Sequence, residues 1–392
     1  MRISIIRLIT ACLLVSIFAC RKPYTPTLVT TNYNYLVVEG VINSGSDSTI
    51  IKLSRTVLLN SSTRSPERGA KISVESDQKD IYTLKETAAG KYIITNLNLP
   101  ANKKYRLHIL TSGNKEYISD FVENKITPPI DSIYPKILTT GVQFYVSSHD
   151  NNNKTRYYRW DYNETWRYSA PRASFLIYTG SGIGARNPDS LIHDCYKFAD
   201  PSNNIFIANT NNLGKDVIYQ SPLGYVDGST GKVTDIYSLL VNQYALTPDA
   251  YKYWELLKKN TEQLGSITDA QPSSGITNIH SVNNPAEPVI GYVSVSTVAT
   301  KRIFLDGRKL PFGVNYDTND TLECKGGVVR INPISTFLPR LNRTFASGDT
   351  LLLEVVTDSN KIVGYQYVNA ICADCRLRGG TTQRPPYWPA GL

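Results

Sequence analysis

Apolar and polar residues alternate with a period of two along most of this chain, the pattern of strands with one buried face. Leu36-Val37-Val38-Glu39-Gly40-Val41-Ile42 opens the run, and Ser48 to Leu53 answers it across a Gly-Ser-Asp turn. Further strands are predicted at Ala70 to Glu75, Ile81 to Leu84, Lys91 to Thr95 and Lys104 to Thr111. Turn residues separate them at about 8–12 residues, the interval of a sandwich. Thr127-Pro128-Pro129-Ile130 then interrupts the pattern, because paired prolines stiffen the chain and prevent strand continuation. Beyond this boundary Gly141 to Ser147 and Lys154 to Trp166 flank the polar turn Asp150-Asn151-Asn152-Asn153. Tyr158, Trp160 and Tyr162 fall on one face of the second of these strands, with Arg159 and Asp161 on the other. More strands are predicted at Ile205 to Asn209, Tyr237 to Tyr244, Val289 to Val298 and Leu351 to Val356.

One segment has helical spacing instead. Thr247-Pro248-Asp249-Ala250 supplies an N-cap, a first-turn proline and an early acid. Tyr253, Leu256, Leu257 and Asn260 continue a helix from Pro248 to about Leu264, which stops at Gly265. The pattern predicts a mainly β chain with a sandwich over residues 35–127, and within it Gly90-Lys91-Tyr92-Ile93-Ile94 followed by Lys104-Tyr105-Arg106-Leu107-His108-Ile109 resembles an immunoglobulin-like or carboxypeptidase-regulatory-like domain. A larger β-rich domain over 128–392 follows, with the helix inside it and a Cys-x-x-Cys tail.

The start of the chain reads differently. Arg2 and Arg7 precede an apolar stretch from Leu8 to Phe18, and Ala19-Cys20 closes it. That is a secretory signal, too short for a comfortable transmembrane helix. A cysteine directly after the cleavage position is used in bacterial lipoprotein maturation, so residues 1–19 are expected to be removed and Cys20 to carry acyl chains. Several acyl chains anchor a protein stably, each methylene contributing about 0.8 kcal/mol. Residues 20–34 are the expected tether, and the expected address is the cell envelope, lipid-anchored at the outer membrane. No acidic cluster follows Cys20, which leaves the leaflet open.

Composition narrows the partners. A hydrophobic content of 41% against 19% charge is that of a globular chain. The net charge is +9, but the basic residues are scattered in pairs such as Lys103-Lys104 and Lys258-Lys259. No basic run is interleaved with aromatics, so a nucleic-acid groove is excluded. With Cys12 lost and Cys20 acylated, Cys195, Cys324, Cys372 and Cys375 remain, and export favours disulfides among them. Cys372 and Cys375 are expected to bond either to each other or to Cys195 and Cys324. A thioredoxin-like pair lacks its strand-then-helix context here, and a zinc ribbon lacks its second close pair.

Several separated pieces resemble the family of Bacteroidota lipoproteins called domain of unknown function 4249. They are Leu36-Val37-Val38-Glu39-Gly40, Ile130-Asp131-Ser132-Ile133, Tyr158-Arg159-Trp160 with Glu164-Thr165-Trp166, and Gln243-Tyr244-Ala245-Leu246 leading into Tyr253-Trp254. Pro288-Val289-Ile290-Gly291-Tyr292, Cys372-Ala373-Asp374-Cys375-Arg376, Gly379-Gly380-Thr381 and Tyr387-Trp388 complete the series in order. The resemblance implies an accessory outer-membrane lipoprotein that accompanies a TonB-dependent receptor. It implies no activity and no site residue.

Catalytic signatures are missing from the sequence. The four histidines, His108, His149, His193 and His280, form no His-Glu-x-x-His motif, and no Gly-x-Ser-x-Gly elbow occurs. Gly180-Ser181-Gly182-Ile183-Gly184 lacks the lysine of a phosphate loop and reads as a mobile loop. Asp317, Asn319, Asp320 and Glu323 offer oxygen ligands for calcium but read more simply as an Asn/Asp turn. Glu164, between Trp160 and Trp166, is an acid without a visible partner carboxylate. Aromatic crowding offers a stacking surface for a sugar or peptide through Tyr157, Trp160 and Trp166, although alternation sends several of the ring side chains to the core. The expectation is a non-catalytic binding protein without cofactor or metal. The alternative is a surface hydrolase of glycans or peptides with dispersed acids.

Overall fold

The computed structural model describes residues 34–57, 65–199, 204–262, 276–311, 313–314 and 323–391. The signal, Cys20, all but the last residue of the tether, Gly265, and Asp317, Asn319 and Asp320 lie outside these residues. The described chain is mainly β, as the alternation predicts.

The first unit is a two-sheet sandwich. One sheet is built on Leu36–Asn43, Thr49–Arg55, Lys91–Ile94 and Lys85–Ala88, and the other on Glu116–Ser119, Lys104–Leu110, Lys71–Ser76 and Ile81–Thr83. Alternate residues of each strand point inward, so Val38, Ile51 and Leu53 from one sheet meet Val74, Leu107 and Ile109 from the other. Full burial of each such side chain stabilises the unit by roughly 1.5–3 kcal/mol.

This sandwich does not end at residue 127. The segment 276–297 returns to it from far along the chain. Ile279–Ser281 pairs antiparallel with Glu116–Ser119, while Ile290–Gly291 and Val295–Ser296 lie parallel to Val37–Val38 and Ile42–Asn43. Ile279, Val289, Val293 and Val295 join the same apolar core. The single strand predicted from Val289 to Val298 is thus two short pieces in the first unit, followed by Val298–Asp306 in the second. The break occurs at Gly291, where φ is +129° and a Cβ would lie 2.1 Å from the Val38 carbonyl oxygen. Polar groups clasp the returning segment. Asn278 donates to the Val293 carbonyl and accepts from its N–H, both at 2.9 Å. Glu287 accepts from Tyr117 Oη at 2.7 Å and Lys115 Nζ at 3.1 Å, with Arg55 at 3.9 Å.

The second unit centres on the long strand Tyr157–Ser169. It pairs with Ile236–Ala245, which continues to Val298–Asp306, and on its other edge with Asp194–Ala199 and Phe206–Asn209. A three-stranded sheet of Ile130–Leu138, Gly141–His149 and Val217–Asp227 shares its core, where Phe144 and Val146 meet Trp160, Tyr237 and Val241. The strand at Ile130–Leu138 carries Pro135 and lies at the sheet edge, the position where a proline costs no ladder bond.

A smaller lobe follows, with strands Gly326–Arg330, Lys361–Asn369 and Thr350–Asp358, the helix Phe337–Phe345 and the hairpin of Leu176–Tyr178 and Ile183–Ala185. The glycine-rich segment expected as a loop is therefore the turn and returning strand of a hairpin, with Gly180 at φ +84°. Cys195 bonds Cys375 and Cys324 bonds Cys372, so the two cysteines of the tail reach distant partners rather than each other. Trp388 is thereby held in the second unit, edge-on to Tyr196 and Phe304. Among the described residues no helix is long and apolar enough to cross a membrane.

Glu287 gives a pH test of the clasp. Burial alone would raise its carboxyl, but the bonds from Tyr117 and Lys115 and the charge of Arg55 outweigh this and lower it. A carboxyl lowered by folding stabilises the native state above its unfolded pKa, about 4.3, and loses that contribution as pH falls through the folded value. Glu287→Gln is expected to cost about 1–3 kcal/mol at neutral pH. The difference from wild type should shrink as the pH drops below the glutamate range, read by urea unfolding across pH. An equal loss at all pH values contradicts the clasp.

Candidate functional site

Alternation along Tyr157–Ser169 decides what faces outward. Because Tyr158, Trp160 and Tyr162 enter the core, Arg159 and Asp161 point to the opposite side, toward the first unit. Their cross-strand neighbours on Ile236–Ala245 are Tyr244 and Asn242. The helix Pro248–Glu262 starts directly after that strand, as predicted, with Thr247 Oγ1 accepting from the Ala250 N–H at 3.2 Å. Tyr251 packs on Tyr157 at 5.1 Å and Tyr253 stacks on Tyr292 at 5.2 Å, so the helix touches both units. This placement brings Trp254 over Arg159.

The result is a cleft of about 350 Å³ between the units. One wall is the outer face of the first sheet, with Glu39 and Lys52 directly opposite each other on neighbouring strands, and Ile50 beside them. Gly40, at φ +140°, keeps this wall flat, since a Cβ would meet the Ile50 carbonyl oxygen at 2.3 Å. On the other wall the Arg159 guanidinium carbon lies 4.1 Å from the Tyr244 ring centroid and 4.4 Å from the Trp254 ring. Arg159 Nη1 forms an ion pair with Asp161 Oδ2 at 3.2 Å, and Asn242 Nδ2 donates to Asp161 Oδ1 at 2.7 Å. Arg159 Nε is buried without a hydrogen-bond partner. Burial, reinforced by the Asp161 charge, pushes the Tyr244 phenol far above its ordinary value, so it stays a neutral donor. Contact with two rings and one carboxylate leaves the guanidinium little rotamer freedom and holds it preformed.

The aromatic residues singled out from the sequence are not gathered here. Trp160 is 1% exposed, donates to Gln243 Oε1 at 2.8 Å and stacks on Tyr158; it is a core residue and not a ligand surface. Tyr157 shares the outward face but packs on Tyr251 and accepts from Asn211 Nδ2. Trp166 packs against the core with Lys232 Nζ 5.1 Å from its ring centroid. What the sequence reading missed is the polar partner face. An Arg-x-Asp pair between alternating aromatics, with Tyr-Ala-Leu-Thr-Pro and Tyr-Trp downstream, was the available signal.

Among the described residues, the acids and histidines followed from the sequence are engaged in local pairs. Glu164 is 7% exposed, and its two oxygens accept from Lys232 Nζ and Tyr237 Oη, each at 2.6 Å. Burial and that carboxylate push the Tyr237 phenol well above its ordinary value. His193 and Ser169 both converge on Asp194 Oδ1 rather than on each other, so they form no nucleophile–base pair. Glu323 pairs with Lys325 at 3.0 Å, and no group of three His, Cys, Asp or Glu residues fit for a metal occurs among the described residues. Glu164→Gln is expected to destabilise the fold by about 3 kcal/mol, because Lys232 then loses its partner charge. Chemical unfolding of the variant checks this, and unchanged stability would contradict a structural role for the pair.

Comparisons with solved structures return only weak overall likenesses. A Salmonella alpha-2-macroglobulin mutant is 9% identical with a TM-score of 0.18; the match covers 86% of this chain, which spans 18% of that protein's length. The calcium binding domain CBD12 of CALX1.1 is 7% identical with a TM-score of 0.16, covering 68% of this chain and 99% of that one. No curated protein matches the chain. The profile of one family matches residues 21–302, which takes in the first sandwich, the cleft and the returning segment. On that match the chain belongs to the family described as Domain of unknown function (DUF4249).

Proposed function

We propose that this protein is a lipid-anchored envelope protein that binds a small ligand in the cleft between its two β units, without transforming it, and works beside a TonB-dependent receptor. The observation that carries the binding reading is the Arg159 clamp. A cation fixed between Tyr244 and Trp254, in a concave site bounded by both units, is organised for recognition before any ligand arrives. The signal followed by Cys20 supports membrane attachment, and the family resemblance supports the receptor partnership. Glycans and peptides both remain within the ligand class, because the cleft combines ring faces with charged groups of either sign. The hydrolase alternative rests on Glu164 and the acidic stretch around Asp317; that stretch lies largely outside the described residues, and the engagement of Glu164 by Lys232 and Tyr237 favours binding over turnover.

Cross-linking in intact cells, followed by capture of the full-length chain and mass spectrometry, tests this reading. A TonB-dependent receptor should be recovered with the wild-type chain and lost with Cys20→Ala, which removes the acylation site. Recovery of no outer-membrane receptor contradicts the proposal.

A further inference from the structure

The state of the Arg159 guanidinium narrows the ligand. Arginine presents its N–H groups in a rigid planar fork, and the carbon of this fork lies 4.1 Å from the Tyr244 ring centroid and 4.4 Å from that of Trp254. Asp161 takes the Nη1 end at 3.2 Å. The neighbouring Nε–H is buried and bonds nothing, in a side chain only 11% exposed. An unmet buried donor costs about 1–3 kcal/mol, more when charged, and a ligand acceptor that satisfies it recovers that cost. A guanidinium characteristically receives a carboxylate through two parallel N–H bonds.

We propose that the cleft is a carboxylate seat, in which a small acid docks against the Arg159 guanidinium where it lines the cleft. This deepens the binding reading above and rests on it. Lys52, on the facing wall, contributes a second positive charge to the same space. The charge of Asp161, which lines the same space, is countered by Arg159 and by the Asn242 and Tyr244 donors at its Oδ1. Glu39 lies beside Lys52 on the first-unit wall and suits a ligand that also carries an amino group. Ile50 and Val298 give the ligand body an apolar rest. The volume of about 350 Å³ matches a free amino acid, a short peptide terminus or a monosaccharide acid, all of which share the carboxylate.

Calorimetric titration of the full-length chain in detergent, with matched acid and neutral probes, decides the matter. The pairs are acetyl-trialanine against its C-terminal amide, and galacturonate against galactose. At least one acid should bind, with its neutral counterpart about tenfold weaker, the loss of one charge-assisted pair. The acid that binds identifies the source, peptide or sugar. Arg159→Lys keeps the charge but not the fork, and should weaken the acid by a similar factor. Lys52→Ala, on an exposed strand position, should weaken it less while leaving the melting temperature unchanged.

Equal binding of acid and amide, or no acid bound up to about 10 mM, overturns the proposal. The acid–neutral comparison needs no variant, so it holds even if Arg159→Lys fails to fold. Equal binding of both probes that Trp254→Ala abolishes would leave the cleft reading standing while the carboxylate seat fails. Receptor capture, tested separately, is indifferent to either outcome.

Discussion

The pairing of Val37–Val38 and Ile42–Asn43 with the returning residues Ile290–Gly291 and Val295–Ser296 is the constraint on which the rest of the structure depends. A β-sandwich followed by a second β unit, joined by two prolines, would by itself be two bodies on a hinge. Here the chain leaves the first unit at Thr127, completes much of the second, and comes back to supply strands and core residues to the first. It then leaves again at Thr297. The two departures are tied together, since Thr127 Oγ1 donates to the Thr297 carbonyl and Thr297 Oγ1 accepts from the Thr127 N–H at 2.8 Å. The Ala245 N–H donates to the same Thr127 hydroxyl at 3.0 Å, which adds the strand Ile236–Ala245 of the second unit.

The cleft follows from this arrangement. Its walls belong to different units, so its width is set by how those units are held. The helix Pro248–Glu262 lies on the connection that leads back, and its rings touch both sides, Tyr251 on Tyr157 and Tyr253 on Tyr292. The position of Trp254 over Arg159 is therefore a consequence of the returning path. A guanidinium this close to two rings gains cation–π energy from each, on the order of 1 kcal/mol when partly exposed. That gain helps offset the buried Nε–H that bonds nothing in the unliganded protein.

Local features were legible in the sequence wherever local physics decides them. The alternation at Leu36 to Ile42, Lys104 to Thr111 and Tyr158 to Tyr162, and the cap at Thr247-Pro248, correspond to the elements found. The boundary at Pro128-Pro129 also falls between strands of different sheets. What could not be read was the closure of the sandwich by residues 276–297, because parallel pairing across so long a separation leaves no periodic trace in either strand. The strand at Ile130–Leu138 was hidden by the same prolines that mark the boundary, together with Pro135. For the site, attention to aromatic residues selected Trp160, which the pleat sends inward. Arg159, its neighbour, faces the cleft and was visible only as the polar half of the alternation.

Native-state hydrogen exchange, read by mass spectrometry on the full-length chain, tests the central claim most directly. If the returning segment is an integral part of the first sandwich, peptides spanning 36–43 and 289–296 will open together. Their protection will match that of the second unit's interior strand 236–245, since interlocked units lose structure as one. Rapid exchange of 289–296 while 36–43 stays protected would contradict the account, because the segment would then be an appendage and the cleft walls would not be held by it.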